Sequence, residues 1–385
     1  MLKALQGVEV LPKILMMFII KKLKRCVLLG LFFIGNGYGQ EFSVKQALSL
    51  YGFQSEAQIK ALESLLKKTS ILQPQQTLEQ RFPVRKSFKE LVQDLLELVS
   101  STQDHFSGRF LKCSSQAKER WEVQGVCYTP EQQNAIIRAI EILGLVQKVL
   151  PVKQRINSIC ILGATANTIK KRISYSEELL KQGCSPKNII LLAGQRPVSE
   201  ADTKDISKEE LQEISTAFKK DRTFLTETDL MRHFYKKSDL SKKAFLLHVI
   251  DTPKGNLPRP TTETTLKALE EFLKKQNPKI QRICFVSSQP YVNYQFALIT
   301  SFFRQNNYNI SYEVVGPQSE NKDPVKFLEA LASYLWAKTP EVLRTLKGNK
   351  PNIPLPDLFS DLYQKRSSLL YAAGQEIFSL KKQYP

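Results

Sequence analysis

Apolar residues change their spacing near the middle of the chain. Over 43–149 they recur three and four residues apart, as in Leu91, Leu95 and Leu98, which is the spacing of one face of an α-helix. Pro130 is a good first helical residue, with Thr129 as its cap. The pattern predicts a helical region over 43–150, with helices at 55–67, 88–99 and 130–149.

Short apolar runs then alternate with helical segments. Buried strands are expected at 156–163, 188–193, 245–250, 282–287 and 311–315, and helices at 169–182, 208–219, 227–236, 262–275 and 292–304. Such alternation is typical of right-handed βαβ units. The pattern predicts a doubly wound, Rossmann-like α/β domain over 156–318, with a mostly parallel sheet of five strands. C-terminal helices are expected over 319–385, at 324–337 and 356–381.

The first 39 residues read as a secretory signal or an N-terminal anchor. A basic cluster at 21–25 precedes an apolar core at 26–34 and three glycines up to Gly39. The apolar core is shorter than the roughly 20 residues of a membrane-spanning helix. We therefore expect an exported protein, either periplasmic or anchored by this segment, with the true start at Met16 or Met17.

The cysteine positions are compatible with export, and the cysteines and histidines do not have the spacing of a metal site. Cys113 and Cys127 flank a polar stretch and could form a disulfide, whereas Cys160 and Cys284 lie in strand patterns and are expected as buried free thiols. Cys184 is expected in a turn and unpaired. The three histidines are scattered, so no metal site is predicted, and His248 is expected in the core.

The formal net charge of +19 bears on which molecules the protein could bind. A basic surplus favours anionic partners: a phosphorylated small molecule, an anionic membrane surface or nucleic acid. The basic residues are scattered over helices without an aromatic-interleaved stripe, which is also typical of a solvated surface and makes nucleic acid the least favoured partner.

Ligands of open α/β sheets bind at the carboxyl ends of the strands, so the loops there carry the candidate chemistry. The first loop contains Gly163 and Thr165 and leads to Arg172, a set that suits a phosphate but equally a plain strand-to-helix turn. The second contains Gly194 and Arg196, whose guanidinium suits a carboxylate or phosphate.

The remaining candidates follow the same logic. Glu227 starts a helix, where a carboxylate either acts in catalysis or only stabilises the helix end. Asp251 ends the third strand and is the best candidate for a general base, although an Asp before Thr-Pro also forms turns. The other candidates are the cation Arg259, the hydroxyls of Thr261, Thr262, Ser287 and Ser288, and the carboxylate Glu263.

Over 159–317 these loops resemble the bacterial domain-of-unknown-function 218 family, the group of envelope-biogenesis and vancomycin-sensitivity proteins. The similar segments are 162–163 with Arg172, 178–183, 190–194, 226–232, 261–268 and 286–288. The chain departs from the family pattern in two places. It has Gln195 where the family has a second glycine, and it has Gln-Pro-Tyr at 289–291 where the family has Asp-Tyr-His. The resemblance implies a divergent, envelope-associated member.

The sequence therefore leads to three functional hypotheses. The first is an exported envelope protein that binds a phosphorylated or nucleotide-like small molecule, such as an envelope intermediate, with transfer or hydrolysis as the reaction. The alternative is a non-catalytic scaffold whose helical region holds a partner protein or a membrane surface. The third is a basic nucleic-acid binder. No residue pattern indicates a cofactor.

Overall fold

The computed structural model describes residues 42–106, 128–152, 156–255, 260, 262–276, 280–320 and 323–347. Several sequence predictions fall outside these described residues. They are the N-terminal signal segment, the pairing of Cys113 with Cys127, the roles of Arg259 and Thr261, and the helix at 356–381.

A five-stranded parallel sheet forms the centre of the α/β part. Its strands are β1 (Ser158–Leu162), β2 (Asn188–Gly194), β3 (Leu246–Thr252), β4 (Arg282–Val286) and β5 (Ser311–Val315), in the order β3-β2-β1-β4-β5. Every neighbouring pair is parallel. All five residues of the central strand β1 are buried, as expected when helices cover both faces. The predicted doubly wound, Rossmann-like α/β fold is confirmed.

Alternating side chains of the strands build two cores, one on each face of the sheet. Ile159 and Ile161 pack towards α6 (Ala166–Lys181) and α9 (Glu227–Lys237). Cys160 and Leu162 pack towards α10 (Thr262–Lys275) and α11 (Val292–Gln305) on the opposite face. The short helices α7 (Glu200–Thr203) and α8 (Lys208–Phe218) lie in the connection from β2 to α9. The strand order reverses between β1 and β4, which defines the switch point of the sheet.

A separate core joins the N-terminal helices to the last described helix. The N-terminal helices are α1 (Val44–Leu50), α2 (Glu56–Lys68), α3 (Leu78–Arg81), α4 (Phe88–Phe106) and α5 (Pro130–Ile142), and the last is α12 (Pro324–Lys347). Capping boxes begin four of them, including the predicted cap at Thr129. Arg85 holds the buried Asp94 of α4 through two hydrogen bonds of 2.7 and 2.9 Å.

The C-terminal ends of three predicted helices are wrong. The helix that begins at Phe88 continues past 99 to Phe106, because Thr102, Gln103 and Phe106 of its last turns are buried as well. The helix that begins at Pro130 ends at Ile142 rather than 149, because Gly144 takes a positive φ of 78° and the chain turns towards β5. The last described helix continues past 337 to Lys347 although Pro340 lies inside it. Val342 and Leu343 are buried in the helical core beyond the proline, and their burial outweighs the lost backbone hydrogen bond.

The predicted thiol states hold for the described cysteines. Cys160, Cys184 and Cys284 are free and buried. His248 is half-buried, its ring contacts that of Phe272 at a centroid distance of 4.8 Å in a tilted arrangement, and its Nε2 lies 3.1 Å from Oδ1 of Asn188. Within the described ranges, each helix is too short or too polar to cross a bilayer.

Candidate functional site

The ends of four parallel strands meet at one edge of the sheet. Gly163 follows β1, Gly194 closes β2, Asp251 lies near the end of β3 and Ser287 follows β4. Gly163 donates to the carbonyl of Leu192 at 2.8 Å, and Gln195 donates to that of Thr252 at 2.8 Å, so the ladder extends into the loops. This edge therefore fixes the loop residues relative to one another.

The Glu227 carboxyl lies over the ends of β1 and β2. A Cβ added at Gly163 would come within 2.6 Å of Cδ of Glu227, so only glycine leaves room for the carboxyl at this place. The amide of Gly194 donates to Glu227 over 3.4 Å, and the guanidinium of Arg196 is 3.8 Å away. Both contacts are long, so the described residues leave the carboxyl with hydrogen-bonding capacity.

Burial raises the pKa of Glu227, although the nearby charges of Arg196 and Arg172 and the amide of Gly194 act against this rise. Its side chain is only 13% exposed. A carboxyl group with a raised pKa can give or accept a proton closer to neutral pH than an ordinary glutamate. Glu227 is therefore more than a helix-end charge: the N-cap bonds of α9 are made by Thr226 and Asp229 instead.

Arg196 is held by a partner that the sequence analysis did not identify. Its guanidinium makes two hydrogen bonds of 2.7 and 2.8 Å to Asp202, whose side chain is fully buried. Burial alone would raise the pKa of Asp202, but the hydrogen bonds and charge of Arg196 outweigh it and the pKa is lowered. The Arg196 guanidinium is therefore ion-paired with Asp202 at the candidate site. Ser199, the cap three residues before Asp202, is the sequence signal that could have located this aspartate.

Asp251 is exposed and is oriented by two neighbours. Thr228 donates to its Oδ1 at 2.6 Å, and the side-chain amide of Gln195 donates to Oδ2 at 3.1 Å. Thr228 also lies 3.4 Å from the carbonyl of Gly194. These contacts connect the ends of β2 and β3 to the start of α9, and they were not predicted from the sequence.

Arg172 reaches the switch point from the side of α6. Its NH1 donates to the carbonyls of Leu162 and Gly163 at 2.8 and 2.7 Å, and its NH2 donates to Ser288 at 3.2 Å. The side chain is buried and connects the end of β1 to the loop after β4. In this geometry Arg172 holds the two strand ends together.

The loop after β4 is fixed to the helical region. The Gln289 side-chain amide donates to the carbonyls of Gly144 and Gln147 at 3.3 and 2.9 Å, and the Tyr291 hydroxyl donates to Glu329 of α12 at 3.3 Å. Ser287 is fully buried, and its hydroxyl has no hydrogen-bond partner among the described residues. The switch point is therefore covered by the chain's own segments.

The start of α6 differs from the start of α9. Thr165 occupies the N-cap position without making a side-chain cap, and its hydroxyl lies 3.0 Å from that of Thr168. The first turn contains no acidic residue. Backbone N–H groups at such a helix start carry partial positive charge and suit an anionic oxygen.

Two further predicted site residues, Thr262 and Glu263, lie at the start of α10. Glu263 pairs with Lys267 at 3.2 Å one turn further along α10, with half of its side chain exposed. Thr262 begins the same helix and is half-buried. The Thr252 hydroxyl, also at the end of β3, is buried without a hydrogen-bond partner among the described residues. In the described part of the chain, no group of three or more His, Cys, Asp or Glu side chains could hold a metal ion.

Comparisons with known proteins leave the family open. No protein-family model matches the chain, and no curated protein matches it closely enough to count as a relative. Among solved structures, the chain is similar to the signal recognition particle receptor FtsY from Elizabethkingia anophelis, with 11% identity and a TM-score of 0.22. That alignment covers 78% of this chain and 100% of the FtsY chain. A likeness at this level supports no functional argument, and the resemblance to the domain-of-unknown-function 218 family stays a prediction.

Proposed function

We propose that this chain binds a small phosphorylated molecule that also carries hydroxyl groups, such as a sugar phosphate or a nucleotide, at the carboxyl ends of β1 and β2. The observation that carries the proposal is the Glu227 carboxyl, which is buried over two strand ends and whose contacts with the described residues are long, at 3.4 and 3.8 Å. Buried polar groups are normally fully hydrogen-bonded, so a carboxyl with spare capacity at this edge suits a ligand hydroxyl.

The phosphate would bind at the start of α6. Its first-turn N–H groups follow Thr165, which leaves them without a side-chain cap, and the turn lacks acidic residues. Gly163 lies between the phosphate position and the carboxyl, because it is against Glu227 and is three residues before the first residue of α6. A ligand with a phosphate at one end and hydroxyls at the other would fit both parts at once.

A reaction at this site would use Glu227 as its acid or base. Burial raises the pKa of this carboxyl, which favours proton exchange with a bound hydroxyl or leaving group. Transfer or hydrolysis of the phosphorylated ligand are the reaction classes consistent with such a group. The ligand would be an envelope intermediate if the N-terminal segment directs export, a point that rests on the sequence pattern at 21–39 alone.

A second candidate function is a scaffold without a ligand. The observation in its favour is that Arg196 is committed to Asp202, Asp251 to Thr228 and Gln195, and Arg172 to strand-end carbonyls. These bonds connect elements of the chain to one another, as a structural network would. The helical region would then hold a partner protein or a membrane surface.

Native mass spectrometry of the purified chain separates the two functions. The ligand proposal expects a retained small molecule, or added mass after incubation with sugar phosphates or nucleotides, that is lost in Glu227→Gln. Glu213→Gln, which changes an exposed carboxylate paired with Lys237 at 2.5 Å, should retain it. Equal masses for the unliganded and incubated chain with every compound would favour the scaffold.

A further inference from the structure

The end of the sheet opposite the candidate site is rich in lysine. There β2 and β3 begin, at Asn188 and Leu246, and the helices α6 and α9 end. The segments 177–187 and 236–247 lie at this end and carry six lysines against three carboxylates. We call this surface the amino edge. Its six lysines are all exposed, and they are Lys181, Lys187, Lys236, Lys237, Lys242 and Lys243.

Hydrogen bonds join the two segments of the amino edge. The amide of Leu246 donates to the carbonyl of Lys187 at 3.0 Å. The amide of Asp239 donates to the Glu177 carboxylate at 2.8 Å. The two segments are therefore neighbours in space, and their lysines belong to one surface.

Electrostatic effects on Asp239 show the same proximity. A hydrogen bond of 2.7 Å from Lys242 lowers the pKa of Asp239. The charges of Lys181 and Lys243 lower it further. Lysines of both segments therefore lie close enough to act on one carboxylate.

Most of the positive charge of the amino edge is not ion-paired. Lys237 pairs with Glu213 at 2.5 Å and Lys242 with Asp239 at 2.7 Å. The other four lysines form no ion pair with the described residues. Lysine in the last turn of a helix also stabilises the helix end, but Lys187 lies in the loop before β2. The surface therefore keeps positive charge available to an anionic partner.

Two large apolar side chains are exposed among these lysines. Leu246 and Leu247 are 64% and 42% exposed. Lys187 is the backbone partner of Leu246, and Lys243 precedes it by three residues. Exposed aliphatic side chains among lysines match an anionic lipid surface, where ammonium groups meet phosphates and apolar side chains enter the headgroup boundary. A nucleic acid fits less well, because the exposed residues of 177–187 and 236–247 include neither an arginine nor an aromatic ring on which bases could stack.

We propose that the amino edge binds the surface of a bilayer that contains anionic lipids, through its lysines and through Leu246 and Leu247. The candidate site lies at the other end of the same strands, and the seven residues of β3 alone span roughly 20 Å. A chain bound in this way presents the candidate site to the solvent rather than to the lipid. The proposal is therefore independent of whether that site binds a ligand.

Vesicle co-sedimentation of the purified full chain tests the proposal. Vesicles of phosphatidylcholine alone are compared with vesicles that also contain phosphatidylglycerol, an anionic lipid. The chain should bind the anionic vesicles more tightly, and this excess should fall as the salt concentration rises. Lys187→Gln combined with Lys243→Gln should weaken binding to the anionic vesicles about tenfold. Leu246→Ser should weaken it at every salt concentration, because the contact of an apolar side chain is not screened by salt.

The matched control is Lys60→Gln combined with Lys89→Gln, which removes the same charge from exposed positions of α2 and α4. It should bind like the wild-type chain. The segment 1–39 is the same in every variant, so differences between variants report on the amino edge.

Circular dichroism must show native helix and strand content in each variant, and the double lysine variant remains informative if Leu246→Ser fails to fold. Equal binding to the two kinds of vesicle, or an equal loss in the control variant, would overturn the proposal. So would a chain that binds a single-stranded oligonucleotide but no vesicle.

Discussion

The Glu227 carboxyl and the Cα of Gly163 are in such close approach that a single added methyl group would displace one of them, since a Cβ at Gly163 would lie 2.6 Å from Cδ of Glu227. This contact packs the end of β1 against the start of α9. It also places a buried carboxyl beside the residue from which the chain leads into α6.

Gly163→Ala should destabilise the chain by about 1–3 kcal/mol, the usual cost of forcing an extra carbon into a packed site. The reason is specific, because the added Cβ collides with the Glu227 carboxyl. In a Glu227→Ala background Gly163→Ala should destabilise the chain less, because the carboxyl that the added Cβ meets is then absent. Urea denaturation of both single variants and the double variant measures the coupling, and additive effects would contradict the contact.

Glu227→Gln should change how stability depends on pH. Burial raises the pKa of Glu227, so the folded state holds its proton more strongly than the unfolded state, and the wild-type chain loses stability as pH rises through the ordinary glutamate range. The glutamine variant should lack this loss and show a flatter profile on the alkaline side. Thermal unfolding from acid to neutral pH measures it. In the control Glu213→Gln the loss on the alkaline side should persist, because the hydrogen bond from Lys237 lowers the pKa of Glu213 and its contribution is lost as pH falls instead.

Asp202→Asn should cost about 3 kcal/mol, because it removes one charge of a buried ion pair and leaves two neutral acceptors for the Arg196 guanidinium in its place. The pH dependence has the opposite sign to that of Glu227. The pKa of Asp202 is lowered, so its contribution is present at neutral pH and is lost as pH falls through the folded pKa.

Guanidinium denaturation at neutral and acidic pH measures the Asp202→Asn effect. Asp239→Asn, which breaks an exposed pair with Lys242 at 2.7 Å, should produce no measurable change. Equal losses for the two variants would show that the Arg196 pair is only a surface contact.

Thr228→Val should cost about 1 kcal/mol, since it keeps the β-branched shape and removes the hydroxyl that donates to Asp251 at 2.6 Å. The buried valine methyl replaces a hydrogen-bonded hydroxyl, whereas Asp251 remains solvated. Thr216→Val, at an exposed hydroxyl of α8, is the matched control. Chemical denaturation measures both, and an effect no larger than that of the control would show that Thr228 does not orient Asp251.

The sequence predicted the sheet well because strand burial is recorded in local composition. The strand at 311–315 has its predicted bounds, and the others differ by one or two residues at their ends. Helix ends were less predictable, as α5 and α12 show. Tertiary burial of Val342 and Leu343 extends α12 past Pro340, and no local signal carries that information.

The site was predictable only to the level of the loops. Gly163, Gly194 and Glu227 were selected because they end strands or start helices, and the structure places the three in contact. The roles of Asp202, Thr228 and Gln195 depend on which side chains meet after folding. Their sequence signals, a capping aspartate, a threonine in a helix and an amide in a turn, are common in any protein.

Hydrogen–deuterium exchange of the purified chain, with and without a panel of sugar phosphates and nucleotides, tests the central claim most directly. The account predicts that a bound compound slows exchange in peptides covering 163–168 and 194–196, and that Glu227→Gln abolishes this protection while Glu213→Gln keeps it. Protection confined to other segments, or protection at 163–168 that persists unchanged in Glu227→Gln, would contradict it.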